Sequence, residues 1–394
     1  MAAMTTDESL RPPVAPREPH TWPRPTGDVD DPWAWLADRD DPRTLDYLRA
    51  ENAYAEAWLG RHQHSIDTVF EEIRSRVRET DTSAPVPVDD WWYAARTVEG
   101  LAYPIHTRGR SAATADDETV LDQNREADGH EYFDVGAFEV DPTHRFCAWS
   151  SDTTGNEHYT LTVRDIAHGF DLDDRLADTT WAGVAWSSDS TYLFYVAADD
   201  QERPYRVMRH RLGTPQADDV EVFVDHDERF YVGIGTTRSR EWIVIQSGSK
   251  QTSEAWLLHT GDPTAAPVCV RPRSDDVEYH VDHWGDRLVV LTNLDAVDFR
   301  VMTAPVDDPA TWTELLAHEP GRRLTAVEPF ADFLAVHEWH HAQPTIRILD
   351  RAGTSRRLPI DPEPHDVEFG PNEQWSTSVI RLTHQSLTTP ARVI

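Results

Sequence analysis

Seven short runs of alternating apolar and polar residues begin near Trp91, Phe138, Gly183, Gly233, Val281, Val327 and Val367, spaced 47, 45, 50, 48, 46 and 40 residues apart. Alternation of period two makes strands, because successive side chains point to opposite faces. Most units run through a polar turn into an apolar strand, then through another turn into a third strand such as YTLTVRDI, YRVMRHRL, EAWLLHT or PTIRILD. A four-stranded unit recurring every forty-odd residues is the signature of a β-propeller blade. One blade alone leaves an apolar face bare, so a ring of them is needed to cover every face. A tandem of β-sandwiches would not call for so regular a period. Residues 84–394 are therefore expected to be mainly β, a seven-bladed β-propeller.

The first 83 residues have a different pattern. Residues 1–30 are rich in proline and charge and lack periodicity, which predicts an extended arm. Asp41-Pro42 reads as an N-cap followed by proline in the first helical turn. Leu45, Leu48, Ala55, Trp58 and Leu59 then recur at helical spacing. Ser65 is the expected cap of a second helix, whose apolar residues Ile66, Val69, Phe70, Ile73 and Val77 step by three and four. The expected organisation is an arm with a two-helix segment over 1–83 and the propeller over 84–394.

Charge narrows the partners. Seventy acidic residues stand against 37 basic ones, a net charge of −33, which argues against nucleic acid or an anionic membrane as partner. Lys250 is the only lysine. The acid is dispersed, with Asp-Asp pairs at 30–31, 116–117, 218–219 and 307–308. A genome that favours arginine codons accounts for the missing lysine but not for the net charge, so a salt-rich cytoplasm is expected, where ions screen the mutual repulsion. No run approaches the roughly 18 apolar residues of a membrane span. MAAMTTDESLRPPVAPREP lacks the apolar core of a signal peptide, so a cytoplasmic location is expected. Cys147 and Cys269 have no ligand-like spacing and read as buried thiols.

Few motifs suggest chemistry. His337-Glu338-Trp339-His340-His341 matches H-E-x-x-H, in which successive turns of a helix bring two histidines to one zinc ion. The preceding residues alternate like a strand, and on a strand His337 and His341 would stand about 13 Å apart. A chance match is the better reading. In SSDTTGNEHYT, Asp152, Asn156 and Glu157 could gather at a ligand, but a hairpin turn with Asp152 bonding local backbone explains the same residues. Gly233-Ile234-Gly235 lacks the third glycine and following helix of a phosphate loop. His62 and His64 read as a solvated surface pair. No catalytic, cofactor-binding or metal-binding residue is assigned, and no cofactor is expected.

DPWAWLADRDDPRTLDYLRAENAYAEAWL resembles the N-terminal signature of the prolyl oligopeptidase family of serine peptidases, and its oligopeptidase B branch in particular. Further matches lie at YAARTVEGLAYPIHTR, LDQNREADGHEYFDVGAFEVDP, AWSSDTTGNEHYTLTVRDI, RPYRVMRHRLGT, TSEAWLL, VEYHVDHWGDRLVVLTN and HQSLTTPARV, in order from about residue 20 onward. The resemblance implies a propeller that is not closed by an exchanged strand, with helices that pack on an α/β-hydrolase domain carrying a Ser-Asp-His triad. It also implies cleavage of short peptides after basic residues. No G-x-S-x-G nucleophile elbow occurs in the sequence. The expectation is an N-terminal, substrate-gating portion without its α/β-hydrolase domain, inactive alone. Its partners would be a catalytic half, encoded separately or beyond this sequence, and then a peptide substrate. A stand-alone propeller that binds a partner without catalysis is the alternative.

Overall fold

A computed structural model describes residues 10–360 and 363–394. The chain divides into two compact units, Met1–Glu79 and Thr80–Ile394.

In the first unit, helix α1 spans Pro42–Gly60 and helix α2 spans Gln63–Arg74. The Asp41 carboxylate accepts the Arg43 backbone N–H at 2.9 Å, so the cap read from the sequence forms. The second cap is corrected: His62 occupies it and Ser65 lies inside α2, because the chain re-enters a helix only two residues after α1 ends. The arm is not wholly extended either. Thr21–Trp22 pairs antiparallel with Val29–Asp30, and its first nine residues lie outside the described ones. The apolar faces of both helices lack cover, with Leu45 42%, Leu48 50%, Phe70 58% and Ile73 58% exposed.

In the second unit six antiparallel sheets follow one another. The first has five strands within 81–122, the second seven within 134–224, and the third to fifth have four each within 231–269, 279–316 and 322–357. The sixth has three within 365–393. The expectation of seven separate four-stranded blades is therefore corrected. Five sheets are of blade size, while the units starting at Phe138 and Gly183 share the seven-stranded sheet. The cause is one 17-residue strand, Phe170–Trp186, which pairs with Tyr159–Asp165 on one side and Tyr192–Ala198 on the other. Its pairing slips between Thr179 and Val184, where Gly183 takes φ +102. A Cβ there would come within 2.3 Å of the Ile234 carbonyl, so only glycine fits. The run at Trp91 is also a second strand, since Val86–Val88 precedes and pairs with it. The four quoted third strands coincide, to within one residue at the end, with Tyr159–Asp165, Pro204–Arg211, Ser253–His259 and Gln343–Asp350, as the alternation predicted.

Apolar clusters join successive sheets. Leu121 and Trp149 share one cluster, Phe194 and Ile243 a second, Leu257 and Leu288 a third, Leu291 and Leu334 a fourth, and Ile346 and Val367 a fifth. Another cluster, with Leu161, Leu193 and Tyr195, sits within the seven-stranded sheet. Each strand's alternate residues thus face a neighbouring sheet, which is where burial stabilises a propeller. The seam between the sixth and first sheets is different. Gln374 Nε2 donates to the Asp89 carbonyl at 3.0 Å, and Arg381 donates to the Pro85 carbonyl and lies over Trp92. Among the described residues the ring closes there by polar contact with no exchanged strand, as the resemblance implied.

Candidate functional site

Strands of the first three sheets, and connections that follow first strands, line a cavity of about 560 Å³, with Tyr93, Glu139, His144, Trp186, Arg240 and Glu373 among its residues. The first and third sheets share its wall without being neighbours, which puts it towards the ring axis. The turns between first and second strands surround its mouth, because every unit runs its first strand in the same sense.

Charged groups dominate this mouth. Asp89 Oδ2 lies 2.5 Å from Arg240 Nη1 and 3.0 Å from His144 Nε2, and His144 Nδ1 is 2.8 Å from the Tyr93 hydroxyl. Burial works against the Asp89 carboxylate, but hydrogen bonds from Arg240 and His144 outweigh it and hold the group below the usual range. Other acids shift the opposite way. Glu139 has surface open to the cavity yet is walled by protein; desolvation, with Glu373 nearby, pushes it up to about 7 against the pull of Arg240. Desolvation likewise pushes Asp282 and Glu328 up to about 6, although Arg238 draws both back.

These shifts carry a sign. A raised carboxyl lets the folded ring hold protons that the unfolded chain has released, so stability falls as pH rises through the folded value. His106, His280 and His283, lowered by burial, oppose this below about pH 6.5, their unshifted value. The clean window is pH 8 to 6.5, where Glu139 dominates. The melting temperature should rise on acidification across it, and Glu139→Gln should flatten that rise. An equal slope in the variant would show that Glu139 is not the group responsible.

The sequence motifs lie elsewhere. His337 is on the strand Phe333–His340, so the helix that H-E-x-x-H requires is not there. Its Nε2 faces the Val367 carbonyl at 2.8 Å and its Nδ1 the Thr325 hydroxyl. His341 sits in the following turn at φ +52, and Glu338 is buried among arginines. Asp152 accepts the backbone N–H groups of Thr154 at 2.7 Å, Gly155 at 3.0 Å and Glu157 at 2.8 Å, so the turn reading accounts for it. Asn156 takes the Thr154 hydroxyl at 2.6 Å in the same turn. Gly233 and Gly235 lie inside the strand Tyr231–Thr236. His62 and His64 are exposed. Cys147 is buried, whereas Cys269 is only half-buried, because it sits on a short edge strand beside Glu254; desolvation first, then that carboxylate, pushes its thiol up to about 12.

The acids on first strands, of which Glu139 lines the cavity, carry a signal that alternation alone did not expose. Glu139, Asp282, Glu328 and Glu368 each follow the first residue of a unit, at Phe138, Val281, Val327 and Val367. Aligning the units on one another places an acid at the same strand position in four of them. Asp89, Arg240 and Glu373 have no such local mark.

Residues 13–394 match the family described as the N-terminal β-propeller domain of prolyl oligopeptidase. Dipeptidyl aminopeptidase BI of Pseudoxanthomonas mexicana is 32% identical, over 97% of this chain and 56% of its own length. Protease 2 of Moraxella lacunata is 28% identical, over 96% of this chain and 56% of its own. Oligopeptidase B from Trypanosoma brucei, solved with covalently bound antipain, superposes with a TM-score of 0.90 at 30% identity, covering 97% of this chain and 58% of that one. Oligopeptidase B from Leishmania major gives 0.90 at 27%, covering 98% and 58%. The chain thus spans somewhat more than half the length of these relatives, and among the described residues it holds no α/β-hydrolase domain. A ring of antiparallel sheets closed by a polar seam, matched along nearly its whole length, places this chain in the prolyl oligopeptidase family as its N-terminal β-propeller domain.

Proposed function

We propose that the chain is the substrate-admitting part of an oligopeptidase B-like serine peptidase that cleaves short peptides after basic residues. The acid-walled cavity on the ring axis carries this reading. A ring of sheets admits by width, so an extended peptide passes and a folded protein does not, while Glu139 and Glu373 on the cavity wall favour arginyl and lysyl side chains. The bare faces of α1 and α2 suit a hydrolase domain as their cover, since Leu45, Leu48, Leu59, Phe70 and Ile73 would otherwise stay wet. No helix among the described residues is long and apolar enough to cross a membrane. The cytoplasm is the proposed compartment.

Joining the hydrolase portion of the Moraxella relative to this chain after Ile394 tests the proposal. The joined protein should cleave short arginyl and lysyl peptides and spare folded substrates, whereas the chain alone should cleave neither, since its described residues hold no positioned nucleophile. Amide exchange across residues 42–74 should be fast in the chain alone and slow once joined. Hydrolysis by the chain alone would refute the reading. Slow exchange of that segment in a monomer would point instead to a self-sufficient binding module.

A further inference from the structure

The turn between Tyr231–Thr236 and Trp242–Gly248 sends two guanidinium groups over the axial cavity in different directions. Arg238 reaches the fifth sheet, where Nε donates to the Pro329 carbonyl at 3.1 Å and Nη1 lies 3.6 Å from Glu328. Arg240 reaches the first sheet, 2.5 Å from Asp89. The first and third sheets are not neighbours. The seven-stranded sheet separates them on one side, and the fourth, fifth and sixth on the other. A direct ion pair between them must cross the mouth rather than follow its wall.

Asp89 is braced for this. Its carboxylate also holds His144 of the second sheet, and its carbonyl accepts Gln374 of the sixth at 3.0 Å. One residue of the first sheet thus gathers side chains from three others. Asp89, His144 and Arg240 each sit in a turn at positive φ, 53°, 58° and 60°, a region that residues with side chains seldom occupy. Tertiary contacts hold them there.

We infer that the Arg240–Asp89 pair is a latch across this mouth, and that a ligand moving along the ring axis passes only when the pair opens. The inference rests on the reading above that ligands use the axis. Magnitude supports a latch rather than a wall. Side-chain exposure is 34% for Arg240 and 51% for Asp89, and pairs so exposed favour the closed form only about fivefold. A guanidinium or ammonium group on the ligand can replace Arg240 at Asp89. Glu139 and Glu373, whose carboxylates have no hydrogen bond or ion pair among the described residues, line the cavity to receive it. Arg240 is then a specificity-determining residue, and cationic side chains are the class it admits.

Thiol labelling tests this on the whole chain. Thr236→Cys places a reporter on the cavity wall, with the unmodified chain giving the background from Cys147 and Cys269. The probes are the trimethylammonium-ethyl and sulfonato-ethyl methanethiosulfonates. Adding Arg240→Ala or Asp89→Ala should speed labelling roughly fivefold, and the two together no further. Arg240→Lys should stay slow. The anionic probe should also speed up in Arg240→Ala, although losing a positive charge alone would slow it. Arg238→Ala should stay near the parent rate. Unchanged rates in Arg240→Ala and Asp89→Ala overturn the latch, as does equal acceleration in Arg238→Ala, which would mean a loosened turn. The readout involves no peptide cleavage, so this result and the peptidase reading can fail separately.

Discussion

Glu338→Ala should lower the unfolding free energy by roughly 3–5 kcal/mol, the cost of removing one partner from a buried ion pair. The Glu338 side chain is fully buried, with Arg322 at 3.0 Å, Arg347 at 2.6 Å and Arg357 at 2.6 Å. Arg322 and Arg347 are themselves about nine-tenths buried. Removing the carboxylate leaves the buried Arg347 and Arg322 guanidinium groups close together with little water between them. Arg322 keeps the exposed Glu319 at 2.8 Å, while Arg357 is half-exposed and can turn to solvent. The charge matters more than the volume, so Glu338→Gln should cost nearly as much as alanine. Replacing Glu338, Arg322 and Arg347 together by Leu, Met and Met should recover most of the loss, because an apolar core needs no counter-charge. Urea midpoints followed by tryptophan fluorescence give the comparison. A Glu338→Ala midpoint close to that of the parent would mean that water already screens the cluster.

That glutamate shows what was readable in the sequence and what was not. Its motif reads as zinc chemistry, yet the alternation around it reads as a strand, and the strand is what forms. Local patterns of period two or 3.6 report the face a side chain takes, so the strands through Tyr159, Ser253 and Gln343 and the helices through Leu45 and Ile66 could be located. Sheet grouping is a weaker signal. Phe170–Trp186 links two units without a turn, and the alternation near Gly183 reads as a fresh start where the backbone only bends. The cap at His62 was missed for a related reason, since the α1–α2 junction is too short to leave Ser65 outside a helix.

The axial site lies further from local pattern. Asp89 and Arg240 are 151 residues apart and meet only because the ring closes. Glu139 belongs to a strand whose outward residues would ordinarily be called solvated, and its raised value comes from walls contributed by other sheets. Such a site is a product of ring geometry. The sequence signs it only through the recurring acid at one strand position.

The melting temperature should rise steeply with KCl, by about 10 °C or more between 0.1 M and 3 M, which at roughly 2–4 °C per kcal/mol is several kcal/mol. Even if every basic residue took one carboxylate, 33 acids would remain without a cationic partner. Their repulsion acts over the screening length, about 10 Å at 0.1 M and about 3 Å at 1 M, so simple screening is nearly complete by 1 M. Folding brings these charges closer than the unfolded chain does, and salt therefore favours the folded side. The curve's shape separates two causes. A rise that levels off near 1 M is screening alone, whereas a continued rise to 3 M adds preferential exclusion of the salt from the protein surface. An uncharged osmolyte matched in osmolality controls for exclusion. The proposal of a salt-rich cytoplasm predicts that KCl exceeds it clearly below 1 M. A melting temperature indifferent to KCl would leave the charge of −33 without that explanation.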